Sequence, residues 1–416
     1  MPAVCFYFQV HQPMRIKHYR LFDIGVDRDY FGERGEGNLN NERVLRKVAN
    51  KCYLPANRLL LSLLHRHPEF KVSFSLSGVF LDAARQYLPE LIFSFQQLVE
   101  TGRVELLAET YYHSLSFLYS TDEFRQQVEK HRRLIEELFG VKPRVFRNTE
   151  LIYNNEIARE AESLGFEALL AEGADHILEW RSPNFLYRPV GGRAIKILLK
   201  NYRLSDDLAF RFGERSWKEY PLTASKFAEW LTGHNGSSDV INLFMDYETF
   251  GEHQWEETGI FEFLVALPGE LLSRRDNFFV TPGEAAARWE PVGELDVPHY
   301  VSWADIERDL SAWQSNEMQR KALESLYALE GAVLARQDLA LLEDWRRLQT
   351  SDHFYYMCTK WFADGDVHKY FNPYESPYDA FISYMNVLHD MRLRLREAER
   401  RDEHHIAIKR PAAERQ

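Results

Sequence analysis

Short apolar runs alternate with amphipathic segments of helical length along the first three quarters of the chain, and this alternation constrains the fold more than any other feature. Seven of the runs have the composition and length of buried strands, and they lie at residues 3–10, 71–77, 104–108, 145–147, 168–171, 194–199 and 240–245. Helical periodicity fills several of the gaps between them, at residues 55–65, 81–100, 121–139 and 155–164. Strands that alternate with helices predict βα units around a parallel sheet.

The chain has 416 residues, enough for two or three domains of ordinary size or for one barrel with an appendage. The number of predicted strands favours a closed or nearly closed β/α barrel over a doubly wound sheet. After about residue 301 the pattern changes to helices without intervening strands, at 323–348 and 378–400, which predicts a carboxy-terminal helical region. The charged stretch 401–416 contains Pro411 and predicts a disordered tail.

Charge and cysteine content exclude several classes of partner. Lys and Arg number 51 against 63 for Asp and Glu, and the net charge of −12 has the wrong sign for a general binder of phosphate backbones. The cysteines, Cys5, Cys52 and Cys358, show no C-x-x-C spacing, which favours reduced thiols over disulfides or structural zinc. We recognise no signal peptide and no apolar run near the roughly 20 residues that span a bilayer. We expect a cytoplasmic protein that binds neither nucleic acid nor membrane; the sequence does not specify its oligomeric state.

Aromatic residues make up 14% of the chain. Most aromatic side chains serve in cores and interfaces, but sugar-binding clefts also use their faces, because a pyranose ring presents apolar C–H groups. Composition alone favours the core interpretation.

Ionisable side chains follow four of the predicted strands, at the point where each strand ends. They are His11, Glu109, His113, Arg147, Glu150, Asp246 and Glu248. In a β/α barrel the reactive groups lie beyond the carboxyl ends of the strands, on one face, so we expect these groups at one rim. Each of them alone would more often be a hydrogen-bonded cap or a solvated charge, and it is their joint placement that favours a functional site.

Glu150 and Asp246 have sequence surroundings that suit acid–base chemistry. Apolar neighbours and Arg147 flank Glu150, and Asp246 follows directly on a buried run. Two carboxyl groups across a cleft with aromatic walls are what glycoside hydrolysis requires. In its retaining form an ionised carboxylate attacks the anomeric carbon, while a protonated one gives its proton to the leaving oxygen and later activates water. That chemistry requires no metal or organic cofactor.

The same segments resemble motifs of glycoside hydrolase family 57, a group of α-glucan-active enzymes that includes α-amylases, amylopullulanases, 4-α-glucanotransferases and branching enzymes. The resemblance runs in segment order from His11 to about Phe381. The most specific matches are N-T-E at 148–150 and D-Y-E-T-F-G at 246–251. Weaker matches are H-Q-P at 11–13, G-R-V-E-L-L at 102–107 and S-D-H-F-Y at 351–355.

The resemblance implies the family's fold, an incomplete (β/α)7 barrel followed by a carboxy-terminal helical region. On this basis residues 1–300 form the catalytic barrel and residues 301–400 complete the cleft. Carried over by position, the motifs make Glu150 the nucleophile and Asp246 the general acid/base. They also imply contacts with the sugar at the cleaved bond from His11, Glu105, Glu248 and Asp352.

Several further residues are candidates for the lining of the cleft. They are His113, Trp303, Trp313 and His353. For the two tryptophans the alternative is packing between barrel and helical region. Arg203, Asp206 and Asp207 follow a predicted strand and either orient Glu150, bind sugar hydroxyls or form structural ion pairs.

Four activities are compatible with these residues. The first is hydrolysis of α-1,4 links in an α-glucan or maltooligosaccharide substrate, and the second is transfer to another sugar hydroxyl, as in a 4-α-glucanotransferase or branching enzyme. The third is a metal-dependent deacetylase or mannosidase with zinc ligands from His11, His113, Asp246 and Asp352. The fourth is a non-catalytic glucan-binding protein. The missing H-x-x-x-H pair after a rim aspartate argues against the third activity, and the retained Glu150 and Asp246 argue against the fourth. Hydrolysis is the simplest assignment of the first two, which share these residues and differ in loop shape and acceptor subsites.

Overall fold

The computed structural model describes residues 2–32, 37–274, 276–360 and 367–409, and within them the chain forms ten strands and eighteen α-helices. The strands are β1 (Ala3–Val10), β2 (Val72–Leu76), β3 (Val104–Leu106), β4 (Val145–Arg147), β5 (Ala168–Glu172), β6 (Arg188–Pro189), β7 (Lys196–Lys200), β8 (Val240–Asp246), β9 (Phe278–Phe279) and β10 (Glu294–Leu295). The helices are α1 (Asn41–Val48), α2 (Leu54–Arg66), α3 (Gly78–Tyr87), α4 (Pro89–Glu100), α5 (Thr121–Phe139), α6 (Asn155–Ser163), α7 (Asp175–Leu178), α8 (Tyr202–Ala209), α9 (Ala224–Thr232), α10 (Ile260–Leu272), α11 (Pro282–Arg288), α12 (Ser311–Gln314), α13 (Glu317–Tyr327), α14 (Glu330–Arg336), α15 (Leu339–Arg347), α16 (Ser351–Tyr355), α17 (Val367–Phe371) and α18 (Pro377–Lys409).

The chain divides into two compact units. The barrel unit lies within residues 1–12 and 42–310, and the helical unit lies within residues 13–41 and 311–416. The boundary at residue 310 is close to the one predicted near residue 300. Residues 13–41 differ from the prediction, because they belong to the helical unit and not to the barrel.

Hydrogen bonds within the helical unit explain why residues 13–41 belong there. Tyr30 donates its hydroxyl to Asp390 of α18 at 2.5 Å, and Tyr374 donates its hydroxyl to the carbonyl of Ile16 at 2.7 Å. These partners are 360 and 358 residues apart in the chain. No local pattern in the sequence can predict contacts over such a separation.

Seven parallel strands build the barrel. β3, β2, β1 and β8 lie side by side in that order, with β9 paired to the start of β1, and β4, β5 and β7 form a second group. A bridge between Ala108 and Phe146 joins the end of β3 to β4. The backbone N–H of Asn201 donates to the carbonyl of Asn242 at 2.9 Å and joins β7 to β8. β1–β5, β7 and β8 therefore follow one another around a barrel of seven strands in place of eight, which confirms the predicted incomplete (β/α)7 fold.

The centre of the barrel is filled by apolar side chains from these strands. β1 is buried along its whole length because it is paired on both sides, and Tyr7 aligns with Ser73 of β2 and with Phe244 of β8. The rings of Tyr7 and Phe244 pack edge to face with their centroids 5.5 Å apart. Strands that are buried on both faces have nearly continuous apolar sequences, which is why the apolar runs predicted the strands.

Two of the predicted helices are divided in the structure. The predicted helix at 81–100 is the pair α3 and α4, because Pro89 has no N–H to donate and disfavours helical backbone at Leu88, whose φ and ψ are −151° and 65°. The predicted helix at 323–348 is divided among α13, α14 and α15. Gln337, with a φ of 53°, adopts the left-handed conformation at the end of α14.

The helical unit contains α12–α18 together with residues 13–41. Arg394 of α18 donates to Asp344 of α15 at 2.6 Å and holds these two helices together. α18 ends at Lys409, past residue 401, where the predicted tail begins; residues 410–416 lie outside the described residues. None of the described helices is long and apolar enough to cross a bilayer.

Candidate active site

Six of the predicted site residues lie together at the carboxyl ends of the barrel strands or in the loops beyond them. The imidazole rings of His11 and His113 stack with their centroids 4.0 Å apart, and Nε2 of His113 lies 2.9 Å from Oε1 of Glu150. The indole N–H of Trp303 donates to Oε2 of the same carboxylate at 2.6 Å. The other members of the cluster are Asp246 and Glu248, which end and follow β8.

The turn after β4 places Glu150. Both Glu150 and Leu151 adopt the left-handed conformation, with φ values of 56° and 51°, and residues other than glycine rarely do so. Such backbone strain costs on the order of 1–3 kcal/mol per residue and occurs preferentially at functional sites. Asn154 then begins α6 by accepting the N–H groups of Glu156 and Ile157. The turn is therefore fixed at both ends.

A short antiparallel pairing brings Trp303 to Glu150. Val301 and Tyr153 exchange two backbone hydrogen bonds of 2.9 Å, and the backbone N–H of Trp303 donates to the carbonyl of Glu150 at 3.1 Å. This pairing places the indole N–H beside the carboxylate. The sequence predicts Trp303 only as a cleft residue, because its bond to Glu150 joins positions 153 residues apart.

A cluster of four charged side chains supports the segment that carries Trp303. Arg308 donates to the carbonyl of Trp303 at 2.7 Å and lies 3.4 Å from carboxylate oxygens of both Glu172 and Asp206. Lys200 lies 3.0 Å from Asp206 and 3.7 Å from Glu172, whose side chain is fully buried. The two cations and two carboxylates alternate, so each buried charge is balanced by its neighbours.

Asp206 is one of three residues for which the sequence left several roles open. Its neighbour Asp207 pairs with Arg211 at 2.7 Å, and Arg203 pairs with Asp175 at 3.1 Å. All three residues therefore form ion pairs in the structure. Asp206 is the one whose ion pairs support the Trp303 segment.

The surroundings of Glu150 favour its ionised form. Burial raises the pKa of this carboxyl, but the hydrogen bond and charge of His113, the charge of Arg147 and the hydrogen bond from Trp303 together hold the pKa below its usual value. Arg147 is fully buried, and its guanidinium lies 4.9 Å from the centre of the Trp303 ring. Glu150 keeps 24% of its side chain exposed, so the ionised carboxylate is accessible from the rim.

The surroundings of the carboxyl groups at the end of β8 favour the protonated form instead. Burial and the negative charge of Glu150 raise the pKa of Asp246 to about 6, although Arg147 and Lys200 act against this. Burial and the charge of Asp246 raise the pKa of Glu248 to about 8. Tyr53 and Gln12 donate hydrogen bonds to the Glu248 carboxyl. The site therefore combines one carboxylate with two groups that retain protons more readily.

Glu105 does not join this cluster, and its predicted place was wrong. β3 begins at Val104, so Glu105 lies at the beginning of the strand, where it aligns with Ser73 of β2. Its carboxylate accepts the backbone N–H of Gly283, in the first turn of α11, at 2.7 Å. The acidic residue that lies beyond the end of β3 is Glu109.

The remaining candidates lie in the helical unit. The ring of Trp313 in α12 is buried and its centroid lies 6.5 Å from that of Tyr355, so within this unit Trp313 is a packing residue. His353 is also buried, with Nε2 3.2 Å from the carbonyl of Arg347. Asp352 belongs to α16. Sugar contacts from Asp352 and His353 stay predictions.

Metal ligation was the alternative use considered for His11 and His113. Both ring nitrogens of His113 contact carboxylates, Glu109 at 2.8 Å and Glu150 at 2.9 Å, and Nδ1 of His11 lies 2.7 Å from the hydroxyl of Ser77. In the part of the chain that the structure describes, no group of three or more His, Cys, Asp or Glu side chains is placed to hold a metal ion.

Comparison with known proteins identifies a matching family, a relative similar in sequence and solved structures with the same fold. The sequence model of the family "Glycosyl hydrolase family 57" matches residues 5–298. A Methanocaldococcus jannaschii protein named "Putative alpha-amylase" is 45% identical over 405 residues, which cover 95% of this chain and 85% of the relative.

Two solved structures share the fold. A branching enzyme of Pyrococcus horikoshii matches with a TM-score of 0.68 and 15% identity over 94% of this chain and 88% of its own. A 4-α-glucanotransferase of Thermococcus litoralis matches with a TM-score of 0.60 and 17% identity over 94% of this chain but only 60% of its own.

Proposed function

Because this chain belongs to glycosyl hydrolase family 57, we propose that it hydrolyses α-1,4 links in starch, glycogen or maltooligosaccharides with retention of the anomeric configuration. Glu150 is the nucleophile and Asp246 is the general acid/base. The proposal rests above all on where these two carboxyl groups lie, at the carboxyl ends of β4 and β8, with His113 and Trp303 donating to Glu150. In keeping with this geometry the pKa of Glu150 is lowered and that of Asp246 is raised to about 6. Retaining glycosidases need such a pair.

In the first step an oxygen of the Glu150 carboxylate attacks the anomeric carbon of the sugar. The bond between this carbon and the glycosidic oxygen breaks, and that oxygen takes the proton of the Asp246 carboxyl. The products are a glycosyl ester of Glu150, an Asp246 carboxylate and a shortened glucan with a free hydroxyl. The hydrogen bonds from His113 and Trp303 to Glu150 orient the attacking group.

In the second step a water molecule attacks the same carbon and gives its proton to the Asp246 carboxylate. The ester bond to Glu150 breaks, and Glu150 leaves as a carboxylate. Both groups then have their original protonation, and the two inversions at the anomeric carbon give net retention. Loss of Glu150 as an anion is favoured by the same donors and cations that lower its pKa.

His11 and Glu248 are the residues we propose for hydrogen bonds to the bound sugar. They flank the two reactive carboxyl groups, His11 through its stacking on His113 and Glu248 two positions after Asp246. With a pKa raised to about 8, Glu248 has a proton to donate to a sugar oxygen at neutral pH. Trp303 presents its ring at the same place, which suits contact with the C–H face of a sugar.

Transfer to a sugar hydroxyl is the second candidate reaction. The glycosyl ester of Glu150 is common to hydrolysis and transfer, and only the acceptor that resolves it differs. The branching enzyme and the glucanotransferase that share this fold catalyse transfer by their names, whereas the 45% identical relative is named as an amylase. Since that relative is by far the more similar in sequence, hydrolysis is the activity we favour.

Incubation of the protein with maltoheptaose tests the proposal, with product lengths and reducing ends both followed in time. Hydrolysis gives shorter products and a matching rise in reducing ends. Transfer gives longer and shorter products at a constant number of reducing ends. Unchanged substrate would overturn both reactions.

The variant Glu150→Gln tests the nucleophile in the same assay. We expect kcat to fall by about ten-thousandfold or more, because an amide oxygen cannot form the ester. Glu160→Gln is the matched control, since Glu160 is also partly exposed, at 22%, and also hydrogen-bonded, to Arg125. Near-normal turnover by Glu150→Gln would exclude Glu150 as the nucleophile.

A further inference from the structure

A fully buried carboxylate, Glu109, lies behind the nucleophile and has no step in the proposed mechanism. It follows β3, and its Oε2 is 2.8 Å from Nδ1 of His113, while Nε2 of His113 is 2.9 Å from Glu150. The imidazole thus bridges a buried carboxylate and the reactive one. Ionised carboxylates only accept hydrogen bonds, so a ring that bonds to one at each nitrogen carries both protons and a positive charge.

The position of Glu109 is fixed from its other side. Gln9 in β1 accepts the hydroxyls of Tyr7 and Ser75 at its amide oxygen, at 2.7 Å and 2.8 Å. Its amide N–H therefore points to Glu109 and donates to Oε1 at 3.2 Å. With one oxygen held by Gln9 and the other by His113, the carboxylate has a single orientation.

A second buried histidine beside Glu109 shows that the protonation of His113 depends on its carboxylate partners. Nδ1 of His131 accepts the backbone N–H of Glu109 at 3.3 Å, and its Nε2 donates to the carbonyl of Leu76 at 2.8 Å. His131 is therefore neutral, and burial lowers its pKa. The two rings are equally buried, but only His113 contacts carboxylates.

We propose that Glu109 is a positioning residue that holds His113 as a cation, and that this cation orients the Glu150 carboxylate and keeps it ionised. The proposal rests on the function proposed above and adds a residue to its machinery. In the first step the cation fixes the attacking group. In the second it stabilises Glu150 as the leaving carboxylate, so the ester bond breaks more readily.

The charged groups around His113 support this assignment. Burial opposes charge on the ring, yet its bonds to Glu109 and Glu150 raise its pKa to about 9. Burial likewise opposes charge on Glu109, yet His113 and Arg147 lower its pKa to about 2. The ring of His11 covers one face of His113. The His113 imidazole and the two carboxylates that it bridges, Glu109 and Glu150, therefore remain charged across the neutral pH range.

The variant Glu109→Gln separates charge from hydrogen bonding. A glutamine amide can accept from Gln9 and donate to Nδ1 of His113, so that Nε2–H still donates to Glu150 while the ring becomes neutral. Without the cation the pKa of Glu150 rises. We expect the acid limb of kcat/KM against pH, measured on maltoheptaose, to move up by about one pH unit, together with a fall in kcat.

Asp390→Asn is the matched control, because Asp390 is also fully buried and accepts hydrogen bonds, from Gly25 and Tyr30 in the helical unit. It replaces a buried carboxyl group of the other unit by an amide, so the acid limb should stay in place. If Glu109 had a merely structural role, Glu109→Gln would lower activity without moving the limb. An acid limb that is unchanged in folded Glu109→Gln would overturn the proposal.

Histidine NMR tests the same proposal on the wild-type protein and does not depend on an activity measurement. In protein labelled with ¹⁵N-histidine, with the His113 signals assigned by their loss in His113→Asn, we expect both ring nitrogens to be protonated at about pH 8, where an ordinary histidine is neutral. A neutral His113 at that pH would overturn the proposal and leave the glucan activity intact. Failure of the wild-type protein to act on maltoheptaose would overturn the proposed function instead.

Discussion

The turns that follow β4 and β8 present carboxyl groups to the same site and give them opposite proton affinities. After β4, Glu150 receives hydrogen bonds from His113 and Trp303, and its pKa is lowered. At the end of β8, Asp246 lies within the field of Glu150, and burial together with this charge raises its pKa to about 6. One turn stabilises a carboxylate and the other stabilises a carboxylic acid.

Depth of burial does not make this difference, because burial raises the pKa of both groups. What differs is the supply of donors, which come to Glu150 from two segments far apart in the chain. The two pKa shifts also depend on each other: since His113 and Trp303 keep Glu150 ionised, its negative charge acts on Asp246 and helps to retain the proton there. A change on the β4 side should therefore be detectable on the β8 side.

On the β8 side the largest effect is expected from Asp246→Asn, which removes the proton donor and leaves the Glu150 turn intact. On maltoheptaose kcat/KM should fall by about 10²- to 10⁴-fold. With an aryl maltooligoside, whose phenolate leaves without a proton, the first step should retain its rate, and a burst of phenol should precede slow turnover. Equal losses on the two substrates would contradict the role of Asp246 as the acid.

Trp303→Phe is expected to have a smaller effect, and it changes only the β4 side. The phenyl ring keeps an aromatic face but loses the N–H that donates to Glu150 at 2.6 Å. A hydrogen bond to a charged group contributes about 1.5–3 kcal/mol, so kcat/KM should fall by about 10- to 100-fold and its acid limb should move to higher pH.

Trp345→Phe is the control for the loss of a buried indole. Trp345 is fully buried in the helical unit, and its N–H donates to the carbonyl of Leu326 at 3.0 Å. This variant should lower the free energy of unfolding and leave the pH profile unchanged. If both variants altered the profile alike, the bond between Trp303 and Glu150 would have no special part in catalysis.

The sequence predicts the β8 side of this comparison better than the β4 side. Asp246 and Glu248 come directly after a buried apolar run. They are two positions apart in the chain, so the sequence itself places one charge beside the other. Glu150 was also predicted, but its donors were not assigned to it. Trp303 reaches Glu150 across 153 residues, through a backbone pairing that has no local signature.

The support around the site follows the same rule. The ion cluster of Arg308 with Glu172 joins positions 136 residues apart. The strand predicted at 104–108 already placed Glu105 near its beginning, so the wrong sugar contact came from the motif match alone. Glu109 and His113, four residues apart, are the exception: both were predicted for the rim, and the short loop after β3 brings their side chains together. The apolar runs could thus predict which side chains lie at the strand ends, whereas most contacts between side chains of different strand ends could not be predicted.

The smallest expected effect concerns pH and tests which group on the β8 side carries the catalytic proton. Asp246 has to be protonated for the first step, and its pKa is about 6. Between the acid limb that Glu150 sets and this pH, kcat/KM should therefore be constant, and above it kcat/KM should fall about tenfold for each pH unit. Glu248, with a pKa of about 8, is still neutral where Asp246 loses its proton. Glu248→Gln mimics that neutral acid and should leave the alkaline limb near its wild-type position, even if sugar binding weakens and KM rises. If the limb moved by a unit or more in this variant, the titrating group would be Glu248, and the assignment of Asp246 as the acid would be wrong.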